Sequence, residues 1–181
     1  MTYWRYQNCL KREKVSIKTK KSLAELLRKR DFTAKQQMMK AFAELVSFLN
    51  KEEDEDFWQQ MNIKEIEELS TSDFATIGAH GYYHNDLSEI SIDDCKKESI
   101  ESKQFLEKIC KKKIDALAFP YGHYSRQVVS EAKKLGYNKL LALDFHFKED
   151  QTDASLRKRM IINPYISVIN QMYAIVKGKY E

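Results

Sequence analysis

The sequence predicts an α/β protein built from short parallel strands and connecting helices. Three consecutive segments support this prediction: an apolar stretch at 114–119 that Pro120 ends, a helical pattern at 125–135 followed by Gly136, and a second apolar stretch at 139–143. Strand, helix, strand is typical of parallel sheets, because two neighbouring parallel strands need a long crossover between them. With 181 residues, the chain suits a single domain with one core.

The amino-terminal part of the chain is predicted to be helical. Residues 1–73 contain neither glycine nor proline, which favours uninterrupted helices. Apolar residues recur there at helical spacing, namely Leu23, Leu26, Leu27, Phe42, Leu45, Val46 and Leu49. Asp31 and Thr33 are candidate caps between two helices, and residues 63–69 form a short amphipathic pattern. We interpret residues 1–73 as a helical segment of the same domain and residues 74–181 as its α/β core.

The remaining elements of the core follow in order along the chain. Residues 74–79 are largely apolar and are predicted to form a buried strand. Ser91 has the position of a helix cap, and the helix after it is expected to run to about Lys112. We expect a short fourth strand at 160–162 and a final helix at 168–176.

Charge and hydropathy argue against two classes of partner. The chain has 31 Lys and Arg against 27 Asp and Glu, a formal net charge of +4 that is mixed along the sequence. Such a mixed surface does not favour nucleic acid as a partner. No apolar run approaches the length of a membrane-spanning helix, so no membrane span is expected.

The cysteines indicate a reducing compartment. Cys9, Cys95 and Cys110 are widely spaced, and their odd number comes without the apolar stretch of a secretory signal. Cys95 and Cys110 are interpreted as small core residues of one helix. We therefore expect the chain as given to be cytoplasmic. An exported or cell-envelope location is expected instead if the native amino end lies upstream.

Two of the four histidines form a candidate metal pair. His80 and His84 are four residues apart and directly follow the strand predicted at 74–79. Imidazole is the commonest protein ligand for zinc-like ions, and the carboxyl ends of parallel strands are where sites gather. The alternative interpretation is a pair of surface-loop histidines.

A second candidate feature is the turn after the strand at 114–119. Pro120 and Tyr121 begin a rigid turn whose backbone amide could face a developing oxyanion. An ordinary strand-to-helix turn is the alternative, since proline and glycine are expected there.

Further polar residues are candidates for acid–base work. His123 and His146 are each candidate proton carriers, with satisfied surface histidines as the alternative. Asp144, Asp150 and Asp153 are candidate carboxylate ligands or bases, and a solvated acidic loop is the alternative for all three.

Taken together, these motifs resemble the polysaccharide deacetylase family, which is carbohydrate esterase family four and includes the chitooligosaccharide deacetylases. Residues 77–88, IGAHGYYHNDLS, are similar to the second motif of that family, often IGSHTVTHPDLS. Residues 117–122, LAFPYG, are similar to its third motif, often FAYPYG. A helix of the family type at 98–109 and the LGY of 135–137 stand in the expected order.

The resemblance implies a fold, an activity and a site. The family fold is an incomplete, distorted (β/α) barrel, and its members remove N- or O-acetyl groups from sugar polymers. By this resemblance His80 and His84 hold a divalent metal ion, usually zinc. Pro120 shapes the turn on which Tyr121, through its backbone amide, helps to bind the oxyanion.

The sequence departs from the family at its first motif. No Thr-Phe-Asp-Asp, which would supply the base and a third metal ligand, precedes His80, and Asp93 with Asp94 comes too late. Gly81 replaces the usual Ser or Thr, and the late Leu-x-His motif is missing. We therefore expect a weak metal site, and we interpret the chain as the carboxyl-terminal part of a deacetylase.

Three functional hypotheses follow. The first is a metal-dependent hydrolase that removes acetyl groups from a carbohydrate, inactive if the missing motif is essential. The second is a non-catalytic carbohydrate-binding or scaffold remnant, in which Tyr82, Tyr83, Phe119 and Tyr121 stack on sugar rings. The third is a helical interaction module using residues 19–70. An incomplete barrel leaves an unpaired strand edge, so self-association through this edge is also expected.

Overall fold

The protein is a mixed helix and strand structure around a small parallel sheet. The computed structural model describes residues 27–43, 60–160 and 165–178. The elements in chain order are α1 (Phe32–Ala43), α2 (Ile63–Ser70), α3 (Ile92–Cys110), β1 (Ala116–Ala118), α4 (Arg126–Lys134), β2 (Lys139–Ala142), β3 (Leu156–Lys158) and α5 (Val168–Lys177). The α/β fold class predicted from the alternation of apolar segments is confirmed.

Within the described residues, the sheet contains three parallel strands in the order β1-β2-β3. Leu117 pairs with Leu140, and Leu140 pairs with Leu156 across the sheet. Ala79 adds one isolated parallel bridge to Leu117, where its N–H donates to the Ala116 carbonyl at 2.9 Å. The carboxyl ends of these segments therefore meet at one edge of the sheet.

The structure corrects the strand predicted at 74–79. Only Ala79 pairs with the sheet and is buried, whereas the side chain of Phe74 is fully exposed. The chain leaves a turn at 73–74 and reaches β1 only at Ala79, so apolar content did not mean burial here.

The structure describes a strand just before the one predicted at 160–162. It spans Leu156–Lys158, Met160 belongs to no strand, and residues 161–162 lie outside the described residues. Asp153 accepts hydrogen bonds from the N–H and the hydroxyl of Ser155, and this turn brings the chain alongside β2. Pairing is therefore established before the predicted segment begins.

The two faces of the sheet have different surroundings. Strand side chains alternate between the faces, and one face packs in the core. The core cluster includes Leu117, Leu140, Ala142 and Leu156 from the strands, Cys95 and Cys110 from α3, and Val128 and Ala132 from α4. The predicted core role of the two cysteines is confirmed. The other face, with Ala118, Leu141 and Arg157, lines an open cavity of about 440 Å³.

Helix starts agree well with the sequence. The hydroxyl of Ser91 accepts a hydrogen bond from the Asp94 N–H at 3.1 Å, and the helix ends at Cys110, slightly before the predicted Lys112. Asp31 caps α1 by accepting from the Ala34 N–H at 2.7 Å. Thr33 lies inside that helix rather than at its cap.

The predicted helical segment is only partly described. Its predicted helical residues at 23, 26, 45, 46 and 49 lie outside the described residues, so the division at residue 73 stays a prediction. No helix in the described ranges is long and apolar enough to cross a bilayer.

Candidate functional site

The two histidines of the predicted metal pair lie side by side. The ring centroids of His80 and His84 are 4.8 Å apart, with an interplanar angle of 76°. Gly81 turns the chain with a φ of 75°, and His84 itself has a φ of 53°. The positive φ at both positions folds the loop back, so that residues four apart in sequence present adjacent rings.

His80 has the hydrogen bond that a metal-binding imidazole needs. Its Nδ1 lies 2.7 Å from the carbonyl oxygen of Ala118. A carbonyl can only accept, so Nδ1 carries the hydrogen and Nε2 keeps its lone pair. Burial lowers the pKa of His80, and the nearby His84 and Arg159 lower it further, against the opposing bond to Ala118. The neutral, ligating form of the ring is therefore favoured.

The donor set fits a divalent ion in part. Two imidazoles are a chemically appropriate pair for a zinc-type ion, which in catalytic sites usually takes three protein ligands. Among the residues that the structure describes, no group of three or more His, Cys, Asp or Glu side chains is placed to hold an ion. The pair thus offers two candidate ligands, and their role as metal ligands stays a prediction.

A buried carboxylate on α3 holds the histidine loop. Glu98 accepts hydrogen bonds from the side-chain amide of Asn85 and, at 3.3 Å, from the N–H of Tyr83. The ammonium group of Lys35 donates to the other end of the Asn85 amide at 2.7 Å. A Cβ at Gly81 would come within 3.1 Å of Glu98, which accounts for the glycine at the place of the family Ser or Thr. Both sides of His84 are therefore fixed to one side chain.

The turn at Pro120–Gly122 lies against this loop. Tyr121 has left-handed backbone angles, φ 59° and ψ 0°, and its ring centroid is 5.0 Å from that of His84. The guanidinium of Arg28 lies over the Tyr121 ring at 5.0 Å. The structure thus brings together the two histidines of the predicted metal pair and the predicted oxyanion turn. The role of the Tyr121 amide stays a prediction.

The aromatic residues assigned to sugar stacking differ in exposure. Phe119 is completely buried and stacks on Tyr124 with centroids 5.2 Å apart, so it offers no surface to a sugar. This burial speaks against Phe119 as a stacking residue, because Phe119 directly follows β1 inside the core. Tyr83 stacks on Phe32 at 4.4 Å, whereas Tyr82 is 46% exposed.

Tyr82 borders a shallow pocket on the surface of α3. The pocket has a volume of about 340 Å³ and is lined by Tyr82, Tyr83, Glu101, Gln104, Phe105 and Lys108. The rings of Tyr82 and Phe105 are 6.2 Å apart in an edge arrangement. Exposed rings beside polar side chains suit a sugar, which presents both an apolar face and hydroxyl groups.

The remaining two histidines continue the same row of rings. The ring centroid of His123 is 6.4 Å from that of Tyr121 and 6.3 Å from that of His146. Nδ1 of His123 lies 2.7 Å from Oδ2 of Asp86, a carboxylate with no solvent exposure. Sequence reasoning missed the roles of Asp86 and Glu98. The two polar residues directly after His84, Asn85 and Asp86, were the available signal that side chains hold this loop.

The acidic residues of the 144–153 segment have structural partners. Asp144 pairs with Lys158, and Asp153 pairs with Lys133. Asp150 accepts from the hydroxyl of Tyr124 and from backbone N–H groups of the same loop. These contacts account for the three carboxylates as loop and surface groups.

Solved structures of deacetylases are similar to this chain. The chain is 22% identical to the Streptococcus pyogenes deacetylase PplD in complex with acetate, with a TM-score of 0.55 over 73% of this chain and 54% of that one. It is 28% identical to a polysaccharide deacetylase from Bacillus cereus, with a TM-score of 0.54 over 67% of this chain and 38% of that one. The chain therefore spans about half or less of these proteins. No curated protein matches it significantly.

The family is shown by a match to a sequence model of the family. The model described as polysaccharide deacetylase matches residues 20–140, which is more than half of the chain. The matched range contains the histidine loop and the Pro120–Gly122 turn. The chain belongs to the polysaccharide deacetylase family.

Proposed function

We propose that this protein is a metal-dependent hydrolase that removes acetyl groups from a carbohydrate. One observation carries the proposal: the His80 and His84 rings are adjacent, and the His84 ring lies 5.0 Å from that of Tyr121. The site thus joins two candidate ligands to the turn predicted to bind an oxyanion.

The chain contributes ligands, an amide and a stacking surface. His80 and His84 would hold a divalent ion such as zinc through ring nitrogens. The hydrogen bond from His80 to Ala118 orients one of these rings for that role. When bound, such an ion polarises the acetyl carbonyl and lowers the pKa of water. The N–H of Tyr121 would stabilise the oxyanion of the tetrahedral intermediate. Tyr82 would hold a sugar ring of the substrate beside this centre.

A non-catalytic carbohydrate-binding role is the second candidate. It is favoured by the absence of a third acidic, histidine or cysteine ligand near the pair in the described ranges. In that role, Tyr82 and the pocket beside it would bind a glycan without removing its acetyl groups. The cellular location, whether cytoplasmic or at the cell envelope, and self-association stay predictions.

Zinc binding and acetate release test the proposal together. Calorimetric titration with zinc compares the wild type with a His80→Ala/His84→Ala double variant, and His146→Gln serves as a control outside the pair. Acetate release is then measured on N-acetylated chitooligosaccharides and on O-acetylated xylan.

The outcomes separate the two candidates. Zinc binding that the double variant loses, with acetate release that depends on zinc, supports the hydrolase. Equal zinc binding by wild type and double variant rejects the metal site. Glycan binding without acetate release supports the non-catalytic role.

A further inference from the structure

We propose that His123, held by the buried Asp86, transfers the proton in both halves of the acetyl hydrolysis. His123 would take a proton from the attacking water and return it to the leaving nitrogen or oxygen of the sugar. This inference rests on the proposed function and names a group that none of the family motifs quoted above supplies.

Asp86 makes the hydrogen bonds needed to hold the ring of His123 in one orientation. It is completely buried, and its Oδ1 accepts hydrogen bonds from the Ser88 N–H at 3.1 Å and from the Ser88 hydroxyl at 2.6 Å. Its Oδ2 is directed to Nδ1 of His123 at 2.7 Å. A carboxylate is costly to bury unless its oxygens are bonded, so both oxygens are used.

The carboxylate fixes which ring nitrogen of His123 is available. Because a carboxylate accepts, Nδ1 carries the hydrogen and Nε2 is left as the basic atom. When Nε2 takes up a proton, the adjacent Asp86 stabilises the imidazolium, as the acid does in an acid–histidine pair of a serine hydrolase.

His123 is also placed to reach a substrate. Its side chain is 40% exposed, while its partner Asp86 is completely buried. The rings of His84, Tyr121 and His123 follow one another with centroid separations of 5.0 and 6.4 Å. Tyr121 therefore lies between the histidine pair and His123 in this row of rings, and the inference requires a bound substrate to extend along the row.

The structure distinguishes His123 from His146, the other candidate proton carrier. Nδ1 of His146 lies 3.3 Å from the carbonyl oxygen of Tyr124, and its ring stacks on Tyr124 at 4.3 Å. A neutral carbonyl stabilises an imidazolium less than a carboxylate does. His146 is therefore the matched control for His123.

For an N-acetylated sugar, His123 alone can supply both proton transfers of the hydrolysis. As the water oxygen bonds to the acetyl carbon, Nε2 of His123 takes one of its protons. The carbon–nitrogen bond then breaks, its electron pair goes to nitrogen, and the imidazolium returns the proton there. The products are acetic acid and the free amine, which exchange a proton to give acetate and ammonium.

The first test is on the metal-free protein and does not use activity. Long-range ¹H–¹⁵N NMR of the imidazoles reports the tautomer of each histidine. The inference expects hydrogen on Nδ1 of His123 in the wild type, and a loss of this preference in Asp86→Asn. A wild-type His123 ring with hydrogen only on Nε2 overturns the inference.

The second test is kinetic and uses zinc-loaded protein with N-acetylated chitooligosaccharide. His123→Gln should lower kcat by about 10²- to 10⁴-fold with little change in KM, and His146→Gln should stay close to wild type. Added imidazole should partly restore kcat to His123→Ala. Circular dichroism and zinc titration confirm that these variants are folded and bind metal.

The kinetic outcomes separate this inference from the proposed function. Wild-type kcat in His123→Gln overturns the inference and leaves the deacetylase proposal intact. A wild type that binds zinc and glycan but releases no acetate overturns both. A low kcat in His123→Gln, with rescue of His123→Ala by imidazole, supports both.

Discussion

Glu98 accepts a hydrogen bond from the side-chain amide of Asn85, the residue that directly follows His84. The same carboxylate accepts from the N–H of Tyr83, the residue before His84. One buried group on α3 therefore fixes the backbone on both sides of a candidate metal ligand. It does so although it is 14 positions from His84 in sequence.

Replacing Glu98 should loosen this loop. In Glu98→Gln the new amide group must face one of two donors, the Asn85 amide or the Tyr83 N–H. We expect a loss of about 1–3 kcal/mol in the free energy of unfolding, because a buried donor is left unsatisfied. Urea denaturation measures this loss, and zinc titration should show weaker binding.

Glu89→Gln is the control for that variant. Glu89 pairs with Lys29 at 3.5 Å on the surface, where such pairs contribute about 0–1 kcal/mol. Equal effects of the two substitutions would show that Glu98 does not hold the loop.

Gly122 is required at the oxyanion turn for two reasons. Its φ is 74°, and a Cβ placed there would lie 2.5 Å from Cγ of Leu143. We expect Gly122→Ala to lower the free energy of unfolding by about 1–3 kcal/mol beyond the cost of the φ angle itself. Thermal denaturation measures the difference from wild type.

Gly178→Ala separates the two contributions. Gly178 has a similar φ of 73°, and a Cβ there meets no described atom within 4 Å. It should therefore show the backbone cost alone. If the two alanine variants lose the same stability, contact with Leu143 is not what requires glycine at the turn.

Cys95 should be unreactive in the folded protein. Its side chain is buried on α3, and burial raises the pKa of its thiol to about 11. The thiolate is the reactive form, so both access and ionisation oppose alkylation at neutral pH. Iodoacetamide labelling followed by peptide mass spectrometry should modify Cys95 in urea and leave it intact in native buffer. Rapid native labelling would contradict the described burial.

His80 should make stability depend on pH. Burial lowers its pKa in the folded state below the unfolded value of about 6.5. The unfolded chain therefore binds more protons in acid, so the contribution of His80 is complete above about pH 6.5 and is lost as pH falls toward its folded pKa. Thermal denaturation from pH 8 to pH 5 should show a shallower decline in His80→Gln than in wild type. If stability declines with pH equally in wild type, His80→Gln and His146→Gln, groups other than His80 cause the pH dependence.

Local patterns predicted most of the helices and their starts. Ser91 and Ser125 cap their helices through their own hydroxyls, accepting from the N–H three residues on. Capping depends on a few consecutive residues, so it can be read from the sequence. Strand positions were less predictable, because strand pairing and burial depend on neighbours distant in the chain. This applies to the exposure of Phe74 and to the strand predicted at 160–162.

The features of the candidate site also fall into those that local sequence predicts and those that tertiary packing decides. The sequence by itself determined the family, the candidate ligands His80 and His84, and the Pro120 turn, because each depends on short motifs of fixed spacing. Only the tertiary structure decided that Phe119 is buried, that Glu98 holds the histidine loop, and that His123 rather than His146 has a carboxylate partner. The contact of Glu98 with Asn85 joins residues 13 positions apart, and the contact of Asp86 with His123 joins residues 37 positions apart. Such pairings are set by how α3 and the sheet pack, which local sequence does not encode.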